Sequence, residues 1–342
     1  MAVGMGEGPV PARVMIVGEA FGEEEERTGK PFVGASGKLL NSLLHEVGLM
    51  RSECYVTNLV NSRPLNNDIS NWIAAKKKDV TSEHIALRDK YVKPILLAGF
   101  ESLKREISLV KPSVIITLGN TSMWALTGSW GIMKWRGSIL DFEGIPLIPC
   151  YHPAAILREW SWHNITLQDL RRAKRFLEGG IPLPKRRFIL RPSFVTVEET
   201  LTSLHRRADS GPIWLDLDLE TKRGHISCCG ISWSRLDAIC IPFTCDASHE
   251  GYWLEAEEVA IIYNLYRLLT HSNVRVRGQN LLYDFQYIHR WWLFLPTFGQ
   301  DTMISFHVLF PGLRKSLDFQ ASMLCEHYVN WKPDKTSWKE GG

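Results

Sequence analysis

The chain reads as an α/β protein of two domains, and three observations predict this. First, the runs Val14 to Val17, Cys54 to Val60, Val114 to Gly119 and Pro146 to Tyr151 are apolar, partly β-branched and stopped by turn residues, as buried strands are. Helical spacing follows the first of them, in Gly37-Lys38-Leu39-Leu40-Asn41-Ser42-Leu43-Leu44, so a parallel sheet covered on both faces is expected. Second, Gly179-Gly180-Ile181-Pro182-Leu183-Pro184 ends in Lys185-Arg186-Arg187 and has the composition of a linker. Third, Ile213 to Thr221 alternates acid and aliphatic, the pattern of a half-buried strand in a second α/β domain. The expected division is residues 1–178, a linker at 179–187, and residues 188–342.

At 342 residues and 45% hydrophobic content the chain can bury two cores, and its net charge of +3 is too small to argue for nucleic-acid binding by itself. Seven cysteines without paired metal spacing suggest a reducing compartment. Neither a signal-type N-terminus nor an apolar run of membrane-spanning length is present. The expectation is a cytoplasmic protein without a membrane partner.

The first strand leads into Val17-Gly18-Glu19-Ala20-Phe21-Gly22 and then Gly29-Lys30-Pro31-Phe32-Val33-Gly34. One carboxylate, Glu19, and one ring, Phe32, beside glycine-rich backbone suit a flat polar ligand. An acidic strand–helix connection in any α/β protein would look similar. Asn58 lies inside the second strand, and His152-Pro153 follows the fourth.

In that order these motifs resemble the uracil-DNA glycosylase superfamily, most closely its family-4-like branch, over about residues 13–176. The resemblance implies that the Gly18-Glu19 motif positions an attacking water. Phe32 would stack on a flipped uracil, Asn58 would read its edge, and His152 would face the carbonyl that gains charge. The residue types fit, because a base leaving the stack needs a ring and edge-reading hydrogen bonds. An amide can match uracil while mismatching cytosine, and a pre-aimed donor meets leaving-group charge. Two departures stand out. Phe21 occupies a position usually held by proline. The four cysteines that hold an iron–sulfur cluster in many relatives have no counterpart, Ser62 and Gly99 standing at two of those positions, so no cluster is expected. Residues 66–94 read as an insertion whose Lys76-Lys77-Lys78 is either a solvated face or a phosphate contact.

In the second half, Asp218 and Glu220 are two apart on one strand and so share a face. Such a pair marks either an exposed edge or a divalent-cation site. Gly278-Gln279-Asn280 with Tyr283-Asp284, and then Asp301-Thr302-Met303, complete a resemblance to the 3′–5′ proofreading exonuclease domain of family A DNA polymerases, over about residues 188–335. This implies a ribonuclease H-like fold of the four-carboxylate (DEDD) type. It implies Mg²⁺ or Mn²⁺ held by Asp218, Glu220 and Asp284, with Asn280 on the substrate. The third motif, Tyr or His with Asp four residues on, is missing. Asp334 has Asn330 four residues before it, and Asp216 and Asp301 are the acids nearest to a replacement.

The combined expectation is the N-terminal part of a phage-type family A polymerase acting in DNA repair and replication. Its first domain would remove uracil and its second would be an incomplete proofreading exonuclease. DNA, as uracil-containing strands and 3′ ends, is the expected partner, with a polymerase domain or subunit beyond the C-terminus. The alternative is a non-catalytic uracil-sensing or DNA-binding module.

Overall fold

A computed structural model of the chain describes residues 6–331 except 75, 183 and 246–250. Asp334, and with it the end of the expected second domain, lies outside the described residues. The chain divides into two compact units, Met1–Pro182 with Asp318–Lys332, and Leu183–Leu317 with Pro333–Gly342.

The first unit runs β1 (Val14–Ala20), α1 (Glu23–Thr28), α2 (Ala35–Glu46), β2 (Cys54–Val60), the hairpin β3 (Ile85–Leu87) and β4 (Lys90–Val92), then α3 (Pro94–Val110) and β5 (Val114–Leu118). It continues with α4 (Asn120–Thr127), α5 (Ile132–Trp135), β6 (Leu140–Phe142), β7 (Ile145–Cys150), α6 (Pro153–Arg158) and α7 (His163–Leu177). Its sheet has the order β2-β1-β5-β7-β6, with every pair parallel except β6–β7. From β1 the chain turns first to β2 on one side and later to β5 on the other. In such a sheet a crevice opens at the carboxyl ends of the strands where the winding reverses, and ligands bind there. Met15, Ile16, Leu40, Leu44, Ile115 and Ile148 are buried completely, which explains why the strands read as continuous apolar runs.

The second unit contains β8 (Arg187–Leu190), α8 (Phe194–Ser210), β9 (Ile213–Lys222), β10 (His225–Ser232), β11 (Asp237–Pro242) and α9 (Glu255–Leu269). It then has β12 (Val274–Gly278), α10 (Leu281–Trp292), β13 (Phe298–Asp301) and α11 (Thr302–Leu309). The sheet order is β13-β12-β9-β10-β11-β8. Its centre, β9-β10-β11, is an antiparallel meander, and β12 and β13 extend it in parallel, as the ribonuclease H-like expectation requires. Leu215, Leu217 and Leu219 enter the core from β9, so Asp216, Asp218 and Glu220 share the opposite face.

One expectation is corrected here. The sequence assigns everything after residue 188 to the second domain, yet from Asp318 onward the helix α12 (Leu317–Leu324) and the chain to Trp331 belong to the first unit. The cause is a set of buried charges. Arg136 and Asp169 form a bidentate pair, both shut away from solvent, and Arg136 also donates to Ser322 Oγ at 2.8 Å. Arg172 donates to the carbonyls of Ser322 and Cys325, at 2.8 Å each, and to that of Glu326 at 3.1 Å. Ile139 N–H donates to Tyr328 O at 2.7 Å, which holds the segment to the sheet side. Buried guanidinium groups require acceptors, and residues 322–326 supply them.

Candidate functional site

Gly18, Glu19, Phe32, Asn58 and His152 come together at the carboxyl ends of β1, β2 and β7. A cavity of about 370 Å³ is lined by Glu19, Phe32, Asn58 and His152, together with Phe21, Glu25 and Arg158. A Cβ on Gly18 would fall into Asn58 Oδ1 and lie 2.5 Å from Phe32 Cζ, so only glycine lets the ring and the amide approach β1 so closely. Phe32 has φ of 56°, a left-handed conformation that bulky residues adopt at a cost, and its ring lies 5.7 Å from that of His152 at 33°.

Asn58 is buried, and its Nδ2 makes a long 3.4 Å bond to Asn61 Oδ1. Its Oδ1 has no hydrogen-bond partner. An orphaned buried acceptor costs roughly 1–3 kcal/mol, which a ligand N–H would relieve. Glu19 accepts from the Thr121 N–H at 2.9 Å, at the start of α4, where its charge also opposes the helix dipole. It is the last strand residue but one of β1 and not part of a turn.

His152 caps α6, its Nδ1 accepting from Ala154 N–H at 3.2 Å. That bond leaves the ring proton on Nε2. Burial pushes the imidazole below its usual value, Glu19 opposing and Arg158 reinforcing the shift, so a neutral Nε2–H donor is available near neutral pH.

Glu25 was not anticipated as a site residue. Its Oε1 accepts from Val33 N–H at 2.9 Å and Gly34 N–H at 3.0 Å, and its Oε2 from Gly22 N–H at 3.2 Å. One carboxylate thus ties the loop after β1 to the turn that carries Phe32. Its place as the third residue of a helix begun by Gly22 is the capping-box signal that sequence could have offered. Phe21 N–H donates to Ser62 O at 3.2 Å, a bond that proline could not make. The insertion is also structural: Arg88 Nε donates to Ala125 O at 2.7 Å, and Asp89 accepts from Trp124 Nε1 at 2.6 Å, so its hairpin closes the carboxyl end of α4.

The residues do not fit an iron–sulfur cluster. A Cβ on Gly99 would lie 2.8 Å from Val60 Cγ2 and closer still to Leu59 O, so α3 meets β2 with no room for a thiolate. Burial pushes the Cys54 thiol up to about 11 and that of Cys150 well above its usual value. These two lie on β2 and β7, with β1 and β5 between them.

In the second unit Asp284 is 3% exposed, and its Oδ1 accepts from Leu219 N–H at 2.8 Å, between Asp218 and Glu220 on β9. Burial pushes its carboxyl up to about 6; the Leu219 bond works against this, while the charges of Asp218 and Asp301 add to it. Hard oxygen donors of this kind suit Mg²⁺ or Mn²⁺. Yet among the described residues no three His, Cys, Asp or Glu side chains stand close enough to hold an ion, so the expected trio of Asp218, Glu220 and Asp284 is not a ready site. Asp284 is turned onto the backbone instead.

Neither replacement acid is spare. Asp301 accepts from four backbone N–H groups, those of Asn280, Leu281, Met303 and Ile304, and so joins α10 to α11. Asp216 is paired with the Arg277 guanidinium, the longer of the two bonds being 3.0 Å. Asn280 sits left-handed, with φ of 60°, as the cap of α10.

A parallel α/β unit with a ring, an orphaned amide oxygen and a neutral histidine around one small crevice defines a pocket for a flat polar heterocycle. Comparison with known proteins is consistent with that class. Residues 5–175 match the family described as "Uracil DNA glycosylase superfamily". The type-4 uracil-DNA glycosylase of Thermotoga maritima is 36% identical over 179 residues, covering 51% of this chain and 82% of that protein. The DNA polymerase of Bacillus phage SP01 is 30% identical over 178 residues, covering 52% of this chain and 17% of the polymerase. Among solved structures, Escherichia coli RNase D, described as an exoribonuclease involved in structured RNA processing, has 20% sequence identity over 44% of this chain and 36% of its own, with a TM-score of 0.28. The chain belongs to the uracil-DNA glycosylase superfamily.

Proposed function

We propose that the first unit excises uracil from DNA and belongs to the front of a phage family A polymerase. The observation that carries the reading is the Asn58 Oδ1, buried and unpartnered beside the Phe32 ring. Uracil has an N–H where cytosine has a bare nitrogen, so an acceptor fixed there selects the deaminated base. With the base stacked against Phe32, water attacks the sugar carbon and the glycosidic bond breaks. The electron pair leaves on uracil, and the charge on its carbonyl is met by His152 Nε2–H. Glu19, held by Thr121 N–H, offers its second oxygen to the water and takes the proton that the water loses as the new C–O bond forms.

Incubation of a uracil-containing oligonucleotide with the protein and chelator, followed by alkaline cleavage, tests this. Strand cleavage is the expected result. Intact product in the presence of clear DNA binding overturns it. The second reading, uracil sensing without excision, is favoured by one observation: Glu19 already spends one oxygen on α4.

For the second unit we infer a proofreading-type acidic face. Asp218, Glu220 and Asp284 would hold a divalent cation together with further ligands, once Asp284 turned away from the Leu219 N–H. When bound, such a cation activates water and stabilises a leaving oxygen. The burial of Asp284 against Asp218 supports this reading. Slow or undetectable 3′–5′ shortening is expected, because the described acids form no ready trio.

A further inference from the structure

Beyond the pocket, the chain leaves α6 through the turn Trp160–Trp162. The turn is built rigidly. Glu159 caps it, accepting from Ser161 N–H at 3.4 Å. Trp162 faces inward and stacks on Tyr151, the residue before His152, at 4.4 Å and 16°. Trp160 faces outward and remains 60% exposed, yet it is not loose: it stacks at 4.5 Å and 25° on His163. His163 is in turn held by Glu46 at 3.4 Å. A large ring fixed flat against a second ring, with most of its surface in water, has the geometry of a base-stacking platform.

Its position gives that platform a use. α6 spans the six residues from Pro153 to Arg158, about 9 Å at 1.5 Å per residue. Its two ends, His152 and Arg158, both line the pocket, and Trp160 is two residues further on. Arg158, at the far end of α6, is exposed, so a phosphate leaving the pocket on this side would meet its charge, while Glu23 and Glu24 of α1, which line the pocket, are already paired with Arg63 and Arg27.

We propose that Trp160 stacks an unpaired base next to the uracil, so that single-stranded DNA is the substrate class of this pocket; this rests on the excision reading above. In a duplex the neighbouring base keeps its own stack and Trp160 gains nothing. In a single strand that base is free, and aromatic stacking of this kind changes affinity roughly tenfold or more.

The test uses the full chain with Trp160→Ala and Trp160→Phe, on uracil in single-stranded and in duplex DNA. Trp160→Ala should raise KM on the single strand about tenfold with little change in kcat, leave the duplex KM unaltered, and be rescued by Trp160→Phe. Binding of uracil-free oligothymidine, read by anisotropy, should weaken about tenfold in the same variant. Unchanged single-strand KM and oligothymidine binding, or equal losses on both DNA forms, overturn the platform even if excision is robust. If the wild type excises nothing while oligothymidine binding still depends on Trp160, the platform stands and the excision reading falls.

Discussion

The two units treat their functional polar groups in opposite ways. Around the first pocket nearly every such group is held by protein: Glu19 by Thr121, His152 by Ala154, and the Phe32 turn by Glu25. On the second unit's acidic face Asp284 is buried, and burial pushes its carboxyl up to about 6, the charges of Asp218 and Asp301 adding to the shift and the Leu219 N–H opposing it. A site whose chemistry needs only a positioned water can be finished by the fold alone. An acid buried with little to compensate its charge holds its proton more tightly instead.

Breaking the scaffold under the first pocket should have the largest effect. Asp169→Ala would leave Arg136 and Arg172 buried without their carboxylate, at a cost of about 3–5 kcal/mol, measured by chemical denaturation. A smaller loss, or none, would mean that water reaches the pair.

Next comes His152→Ala, which should lower uracil excision by about 10²–10³-fold, as loss of one stabilising donor does. The pH dependence follows from the sign of the shift. The folded-state value is lowered from 6.5, so His152 contributes stability above 6.5 that is lost as pH falls through its folded value. Excision should fall with it on the acid side, because protonation removes the acceptor that holds Ala154 N–H. Excision that rises instead of falling on the acid side would contradict the neutral-donor assignment.

Gly18→Ala should cost about 1–3 kcal/mol by overpacking and abolish the fit of Asn58 to Phe32. A variant that melts as the wild type does and retains activity would show that the ring can withdraw.

The smallest effect belongs to the second unit and runs the other way. Asp284 has a raised folded-state value, about 6 against 3.8, so its contribution to stability is present below 3.8 and lost as pH rises through about 6. Asp284→Asn should therefore stabilise the chain above that pH, by about 2 kcal/mol or less. It should also weaken Mn²⁺ binding, which in the wild type should tighten as pH rises through 6 and the carboxyl ionises. Stabilisation without any change in Mn²⁺ affinity, by calorimetry, would remove Asp284 from the ligand set.

Most of the first unit was legible, because its strands are buried on both faces and its helices repeat at helical spacing. Cys54–Val60 forms a strand with the bounds read from its residues. The first pocket's residues were legible too, as polar or aromatic interruptions of apolar strands and glycine-rich turns: Glu19 and Asn58 lie within β1 and β2, Phe32 in a turn, and His152 just after β7. The arginine and aspartate network was not. Arg172 and Cys325 are 153 residues apart, and nothing local marks a guanidinium as buried. Asp301 misled for a related reason: an acid before a helix is either a cap or a ligand, and the four N–H groups that decide it come from two helices. The acids of β9 were read correctly as sharing a face, but periodicity says nothing of where Asp284 turns its oxygens.

The return of residues 318–331 to the first unit sets an order of events during synthesis. At about 5–20 residues per second, the 135 residues from Leu183 to Leu317 take roughly 7–27 seconds to emerge. Throughout that interval Arg172 lacks the carbonyls of Ser322, Cys325 and Glu326. The unit that is begun first is thus completed only after residues 183–317 of the other have been made. A nascent chain halted before Asp318 should hold a protease-sensitive first unit that closes only when α12 leaves the ribosome.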